Sequence, residues 1–245
     1  MKSSALTKEN HQEKLEAASR KAGIAGLFFL LITCVASFFL PPWVTWENGP
    51  VEMLQNIILA GCVFLCLYYY IQDKNIYRNP NVPDPVSGSG QDLSQGNPLP
   101  YRFWLVGMLF FLLLFGREIS WGRVFFVDHM TDSGPSLIHR ECYFLFSFIR
   151  PVVTGTVILL VAGLVKWCPV NCIRFQIPFP FHIFFLICAC ALIALLGDKG
   201  VLNSITETMP SVLMEEFAEL TAYCLLLFLV WYYHKWFLLL NRYRM

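Results

Sequence analysis

The chain has 245 residues, of which 56% are hydrophobic, 16% aromatic and 14% charged; its formal net charge is +1 and its mean hydropathy +0.54. Soluble domains carry about 25% charged residues, so this composition predicts a polytopic membrane protein and excludes an ordinary soluble domain. The scattered Lys and Arg residues leave no electrostatic footprint for nucleic acid, and membrane lipid is the partner the composition favours.

Residues 1–21 are polar, with Lys2, Lys8, Lys14, Arg20 and Lys21 set against Glu9, Glu13 and Glu16. They read as a cytoplasmic amphipathic leader with a frayed helix. A first span is expected over 22–43, closed by Pro41-Pro42 and anchored by Trp43 and Trp46. No small-residue cleavage site precedes the prolines, so the span reads as retained. The connector Glu47-Asn48-Gly49-Pro50 turns the chain into a second span over 51–72. Residues 74–100, rich in Pro, Gly, Ser and Asn, read as a flexible loop.

A third span over 101–119 ends in Gly116-Arg117-Glu118-Ile119-Ser120-Trp121-Gly122. Residues 119–147 are semi-polar, holding Asp128, His129, Asp132, His139, Arg140 and Glu141 between apolar pieces. Such a stretch is expected to fold back on the bundle or dip into it, where protein or water satisfies its backbone. Further spans follow over 148–167, 180–197 and 210–240, the last led in by Pro210. The expected fold is an all-α integral membrane protein of about six transmembrane helices, one domain over 22–245, with a partly re-entrant segment between the third and fourth. Most Lys and Arg residues fall on the side holding the termini. The positive-inside rule then puts both termini in the cytoplasm of a cell whose inner membrane holds the chain.

The nine cysteines carry little chemistry. Six lie in apolar runs, where Cys behaves as a small hydrophobe. Cys168 and Cys172 have no second pair with which to build a tetrahedral zinc site.

The predicted topology gathers acidic and imidazole groups at the extracytoplasmic ends of the spans. Glu215 and Glu219 are one helical turn apart, and Glu216 is three residues from Glu219, so all three project into one sector of the last helix. Carboxylates near hydrocarbon face a partner, a cavity or a metal. Glu118, His139, Glu215 and Glu219 form a donor set suited to one divalent ion, zinc, iron or manganese. Glu216, Glu141 and Glu52 are the candidates for acid–base work. Arg117, Arg123, Arg140 and Arg150 are candidates to dock an anionic headgroup, since guanidinium pairs well with phosphate. Plainer accounts stand beside these. Glu52 lies where a carboxylate complements a helix dipole, and Glu118 has arginines within reach for an ion pair. Ser120 has no Gly-x-Ser-x-Gly elbow around it.

Several of these residues also carry a resemblance. Glu47-Asn48-Gly49-Pro50-Val51-Glu52, the Gly116–Gly122 run, a downstream loop histidine and Glu215-Glu216-Phe217-Ala218-Glu219 together resemble a family of uncharacterised bacterial multi-pass membrane proteins. The likeness covers patches between about 50 and 220. In that family the central motif reads Glu-Glu-Ile-Ser-Trp-Gly-Gln, whereas Arg117 and Arg123 stand at its first and last positions here. The resemblance implies a multi-pass fold and the same polar residues as a site, with no activity attached.

Three functions are compatible with this pattern. The first is a metal-dependent hydrolase or transferase acting on a lipid or lipid-linked substrate at the extracytoplasmic face, the metal activating a water. The second is a proton- or cation-coupled transporter using the same carboxylates. Against it stands the absence of repeated halves, which leaves a homodimer as the way to a symmetric pathway. The third is a structural subunit of a membrane assembly, its Glu and Arg residues locking helices together.

Overall fold

The computed structural model describes residues 2–45, 49–78, 100–119, 127–131, 134–137, 146–167, 178–199, 201 and 208–243. In chain order these form helix α1 (Lys2–Ala36), a 3-10 turn (Pro42–Thr45), α2 (Pro50–Arg78) and α3 (Pro100–Glu118). An antiparallel hairpin of β1 (Val127–Thr131) and β2 (Gly134–Leu137) follows, then α4 (Phe146–Trp167), α5 (Phe181–Asp198) and α6 (Thr208–Tyr243).

Local chemistry sets the helix ends. Pro50 opens α2 at the position where a missing N–H costs nothing, and the Met53 N–H closes the first turn on the Gly49 carbonyl at 2.9 Å. Glu52 lies in that first turn. At the end of α1 the Ser37 hydroxyl donates to the Cys34 carbonyl at 2.7 Å, and Pro41-Pro42 cannot continue a helix.

Two boundaries differ from the sequence-based expectation. No break separates the polar leader from the first apolar run, and α1 is continuous from Lys2. The second half of the leader is packed: Leu15 and Ser19 are buried, and Ser19 Oγ lies 3.1 Å from His182 Nε2 on α5. In turn, α2 continues through Arg78 into the stretch read as loop. Buried Asp73, which accepts a 2.8 Å hydrogen bond from Trp104 Nε1 of α3, ties down its last turns. Within 119–147 the described residues include the hairpin, which precedes α4.

The long α6 is the central element, packed against α1, α2 and α5, while α2 carries α3 and α3 carries α4. The main core joins Leu59, Cys62, Cys66 and Tyr69 of α2 to Trp104 and Phe111 of α3 and to Tyr232 and Trp236 of α6. Helix α1 approaches closely through small residues, as helices packed in membranes commonly do. A Cβ at Gly26 would lie 2.9 Å from Leu225 Cδ2, and one at Gly23 only 2.6 Å from His182 Cδ2.

The outer surface is unlike that of a water-soluble bundle. Gln55 and Thr221 are enclosed, whereas Phe39 and Val165 are each 83% exposed, and large apolar side chains line the outer faces of α1, α2, α4 and α5. Two helical stretches, Glu9–Ala36 and Pro50–Asn75, are long and apolar enough to cross a bilayer, and Pro151–Lys166 and Phe181–Gly197 are shorter apolar helices. Although 36 residues long, α6 carries Glu215, Glu216 and Glu219 near its leading end.

The glycine contact gives a direct test of this packing. Replacing Gly23 by Ala should force the His182 ring away from Ser19 and cost about 1–3 kcal/mol, the usual range for overpacking. The measurement is thermal unfolding of purified protein in detergent, and an unchanged midpoint would show that α1 and α5 do not meet there.

Candidate functional site

At the end of the bundle where α2 and α6 begin and α3 and α5 finish, a cleft of about 690 Å³ opens. Its polar lining is Glu52 of α2, Arg117 and Glu118 of α3, and Glu215, Glu216, Glu219 and Tyr223 of α6. Its apolar wall is Phe110 and Leu114 of α3, Ile187, Ala191, Ala194 and Leu195 of α5, and Ala222 and Leu226 of α6. Helical spacing explains the α6 contribution: 215, 219, 222, 223 and 226 fall along one face. The end of α5 lies directly on that face, since a Cβ at Gly197 would come within 2.8 Å of the Glu215 Cβ.

Arg117 organises the polar half. Its guanidinium donates to Glu118 Oε1 through Nε at 3.1 Å and Nη2 at 2.8 Å, and Nη2 also reaches the Glu219 carboxylate and, at 3.3 Å, the Tyr223 hydroxyl. Tyr223 in turn donates to Glu118 Oε1 at 2.6 Å. The Glu118 and Glu219 side chains are only 7% and 15% exposed, against 58% for Arg117, so the cation caps two largely shielded anions from the outer side. Charges near hydrocarbon pair in this way because an unpaired one is expensive.

Glu216 is held differently. Gln55, wholly enclosed on α2, donates through Nε2 to the Glu216 carbonyl at 2.9 Å and to its Oε2 at 3.0 Å. The amide nitrogen faces two acceptors, which fixes the orientation of the side chain. Gln55 Oε1 is therefore turned away from them, buried, and without a hydrogen-bond partner among the described residues.

The structure thus brings together Glu52, Glu118, Glu215, Glu216 and Glu219, five carboxylates singled out by sequence from three helices. Arg117 joins them as an ion-pair partner rather than as an unengaged headgroup ligand. Arg123, His139, Arg140 and Glu141, and the side chains of Arg150, His129 and Asp198, lie outside the described residues. Among the described residues no three His, Cys, Asp or Glu side chains are placed to hold a metal ion. Glu118 and Glu219 turn to Arg117 and Glu216 to Gln55, so these donors do not converge on one point.

Tyr223 is a site residue that sequence reasoning left out, although it was findable, one turn beyond Glu219 on the same face. Gln55 is visible in the sequence as a polar residue on the turn after Glu52, but its partner, 161 residues away, is not. A second polar cluster, also unforeseen, sits toward the opposite end. There Asp73 pairs with Trp104, and the buried His234 ring stacks on Tyr69 with centroids 3.6 Å apart. Tightly stacked aromatics of this kind are the ordinary fabric of a helical core.

No protein-family model, curated protein or solved structure matches the chain.

The shared cation makes Glu118, Glu219 and Arg117 energetically dependent on one another. Arg117→Met should destabilise the protein, and adding Glu219→Gln should restore part of the loss, with a coupling of about 0.5–3 kcal/mol in a double-mutant cycle. Strictly additive effects in thermal or denaturant unfolding would mean that Arg117 and Glu219 do not act together.

Proposed function

We propose that the chain is a membrane-embedded enzyme, a hydrolase or transferase, that takes a lipid or lipid-linked substrate into the acidic cleft from the extracytoplasmic face. The observation that carries this reading is the meeting of carboxylates from three helices with an apolar wall in one cleft of about 690 Å³. A polar end for the reacting group and an apolar flank for a chain are what an amphiphilic substrate needs. The outward-facing Phe, Leu, Ile and Val side chains and the two bilayer-length helices support the membrane half of the proposal. Six spans in the inner membrane, both termini cytoplasmic, are the topology that goes with it.

Within this reading the carboxylates divide by partner. Glu118 and Glu219 share a guanidinium, which holds their charge and fixes their position. Glu216 accepts from a neutral amide instead, and so is the side chain suited to take a proton from a hydroxyl or water and return it to a leaving group. Glu52 and Glu215 complete the anionic lining.

The Arg117 network also favours a second reading, a structural or assembly subunit in which the ion pairs only lock α3 to α6. One experiment separates the two. Purified protein is reconstituted in vesicles of native lipid extract, and lipid composition is followed by mass spectrometry. The wild type should convert a lipid, and Glu216→Gln should lower the rate by about 10²–10⁴, the usual worth of a general acid–base group, with the unfolding midpoint unchanged. Lipids left unaltered by the wild type would sink the enzyme reading.

A further inference from the structure

Below its acidic end the cleft continues as an apolar trough. Phe110, Leu114 and Glu118 recur every fourth residue along α3, and Ile187, Ala191 and Leu195 do so along α5, so each helix presents one stripe to the cavity. Ala222 and Leu226 of α6 make the floor. Helix α3 is held by α2 and α4, and α5 by α6 and α1, so the two stripes line the cavity from separate supports. Ala191, Ala194 and Ala222 bring only methyl groups to it, which is why there is room. The lips of the trough belong to the outer surface. Leu195 is 53% and Phe110 37% exposed, and Leu112 and Leu192 near them also face outward. From Val106 to Gly116 and from Ile183 to Gly197 the sequence holds no charged, hydroxyl or amide side chain.

We propose that this trough seats one hydrocarbon tail of a bilayer lipid, taken sideways through the seam between α3 and α5 from the leaflet at the acidic end. The inference rests on reading the cleft as a lipid site, and adds the route of entry and the part of the lipid that is held. Two observations choose the occupant. The lips are continuous with the apolar outer faces, so a tail already in the leaflet reaches the floor without crossing a polar rim. Water entering the same way would lie among side chains that cannot hydrogen-bond it. The length also fits. Phe110 and Glu118 are eight residues apart, as are Ile187 and Leu195. That is a rise of about 12 Å, against about 15 Å for half the hydrocarbon thickness of a bilayer. A tail lying along the stripes therefore runs most of the depth of one leaflet, with its headgroup level with the Arg117 network. The seat itself is apolar and does not involve the carboxylates.

The test uses the full chain in phosphatidylcholine vesicles that contain a phosphatidylcholine with a diazirine midway along one tail. After irradiation, adducts are mapped by peptide mass spectrometry. The tail probe should label the floor residues Ala222 and Leu226 as well as the outward-facing Phe184 and Phe185, and a water-soluble diazirine should not reach that floor. Ala191→Trp, which fills the trough, should remove the floor adducts and spare those on Phe185. Leu192→Trp, on the outward face, should spare both. An unlabelled floor beside labelled Phe184 and Phe185 overturns the proposal. So does a floor marked by the water-soluble probe instead, which would make it an aqueous pocket. Protection of the floor from both probes in a chain that runs as a dimer would likewise replace the tail with an interface between copies. The wild-type pattern needs no variant, so a misfolded Ala191→Trp cannot obscure it. A labelled floor without any lipid conversion would keep this inference and remove the enzymatic reading; conversion above an unlabelled floor would do the reverse.

Discussion

Arg117 stands on the last turn of α3, and its guanidinium is shared by Glu118 on the same helix and by Glu219 and Tyr223 on α6. The apolar core joins these helices further along, through Trp104, Phe111, Tyr232 and Trp236. At the acidic end the facing surfaces are carboxylates, which repel one another unless a cation lies between them. The cleft keeps its shape because one half-exposed guanidinium lies between two largely shielded carboxylates and offsets part of their repulsion, while a tyrosine hydroxyl supplies Glu118 with another donor. Remove the cation and the carboxylates have every reason to separate, carrying α3 away from α6.

This arrangement explains why the carboxylates are not equivalent. Those bound to Arg117 are committed to holding the end of the bundle. Glu216, bound to Gln55, contributes to the cleft without being neutralised by that ion pair. A cation and a neutral amide thus hold carboxylates three residues apart on one helix, separated by which way their side chains point around it. Gly197 adds the fourth side: with no Cβ, it lets α5 close directly onto Glu215 and bring Ala191, Ala194 and Leu195 to the apolar wall.

Large apolar side chains cover the outer faces as well as filling the core, and a few polar groups such as Gln55 and Thr221 are enclosed among them. Where lipid covers the outer surface, apolar contact no longer distinguishes inside from outside, and association relies on close approach of small residues and on buried polar pairs. The close approach at Gly23, where an added Cβ would lie 2.6 Å from His182, and the Asp73–Trp104 and Ser19–His182 pairs are that kind of contact. They also show why the leader is not loose. Ser19 is buried against α5, and the helix continues through it because nothing between Leu15 and Gly23 breaks the backbone.

Helical periodicity and composition were sufficient to locate the apolar helices and to put Glu215, Glu216 and Glu219 on one sector of the last of them, since both depend only on near neighbours along the chain. The same local logic marked Glu52 and Glu118 as carboxylates at helix ends. It had no means of assigning partners. Whether Arg117 would receive a ligand or bind Glu219, whether Gln55 would cap Glu216, and whether Asp73 would meet Trp104 all depend on how helices cross. Crossing is set by side-chain shape summed over whole interfaces, which no stretch of residues carries alone. Hence the acidic cluster was legible from order and spacing, while the division of labour within it came from the packing of α2, α3 and α5 around α6.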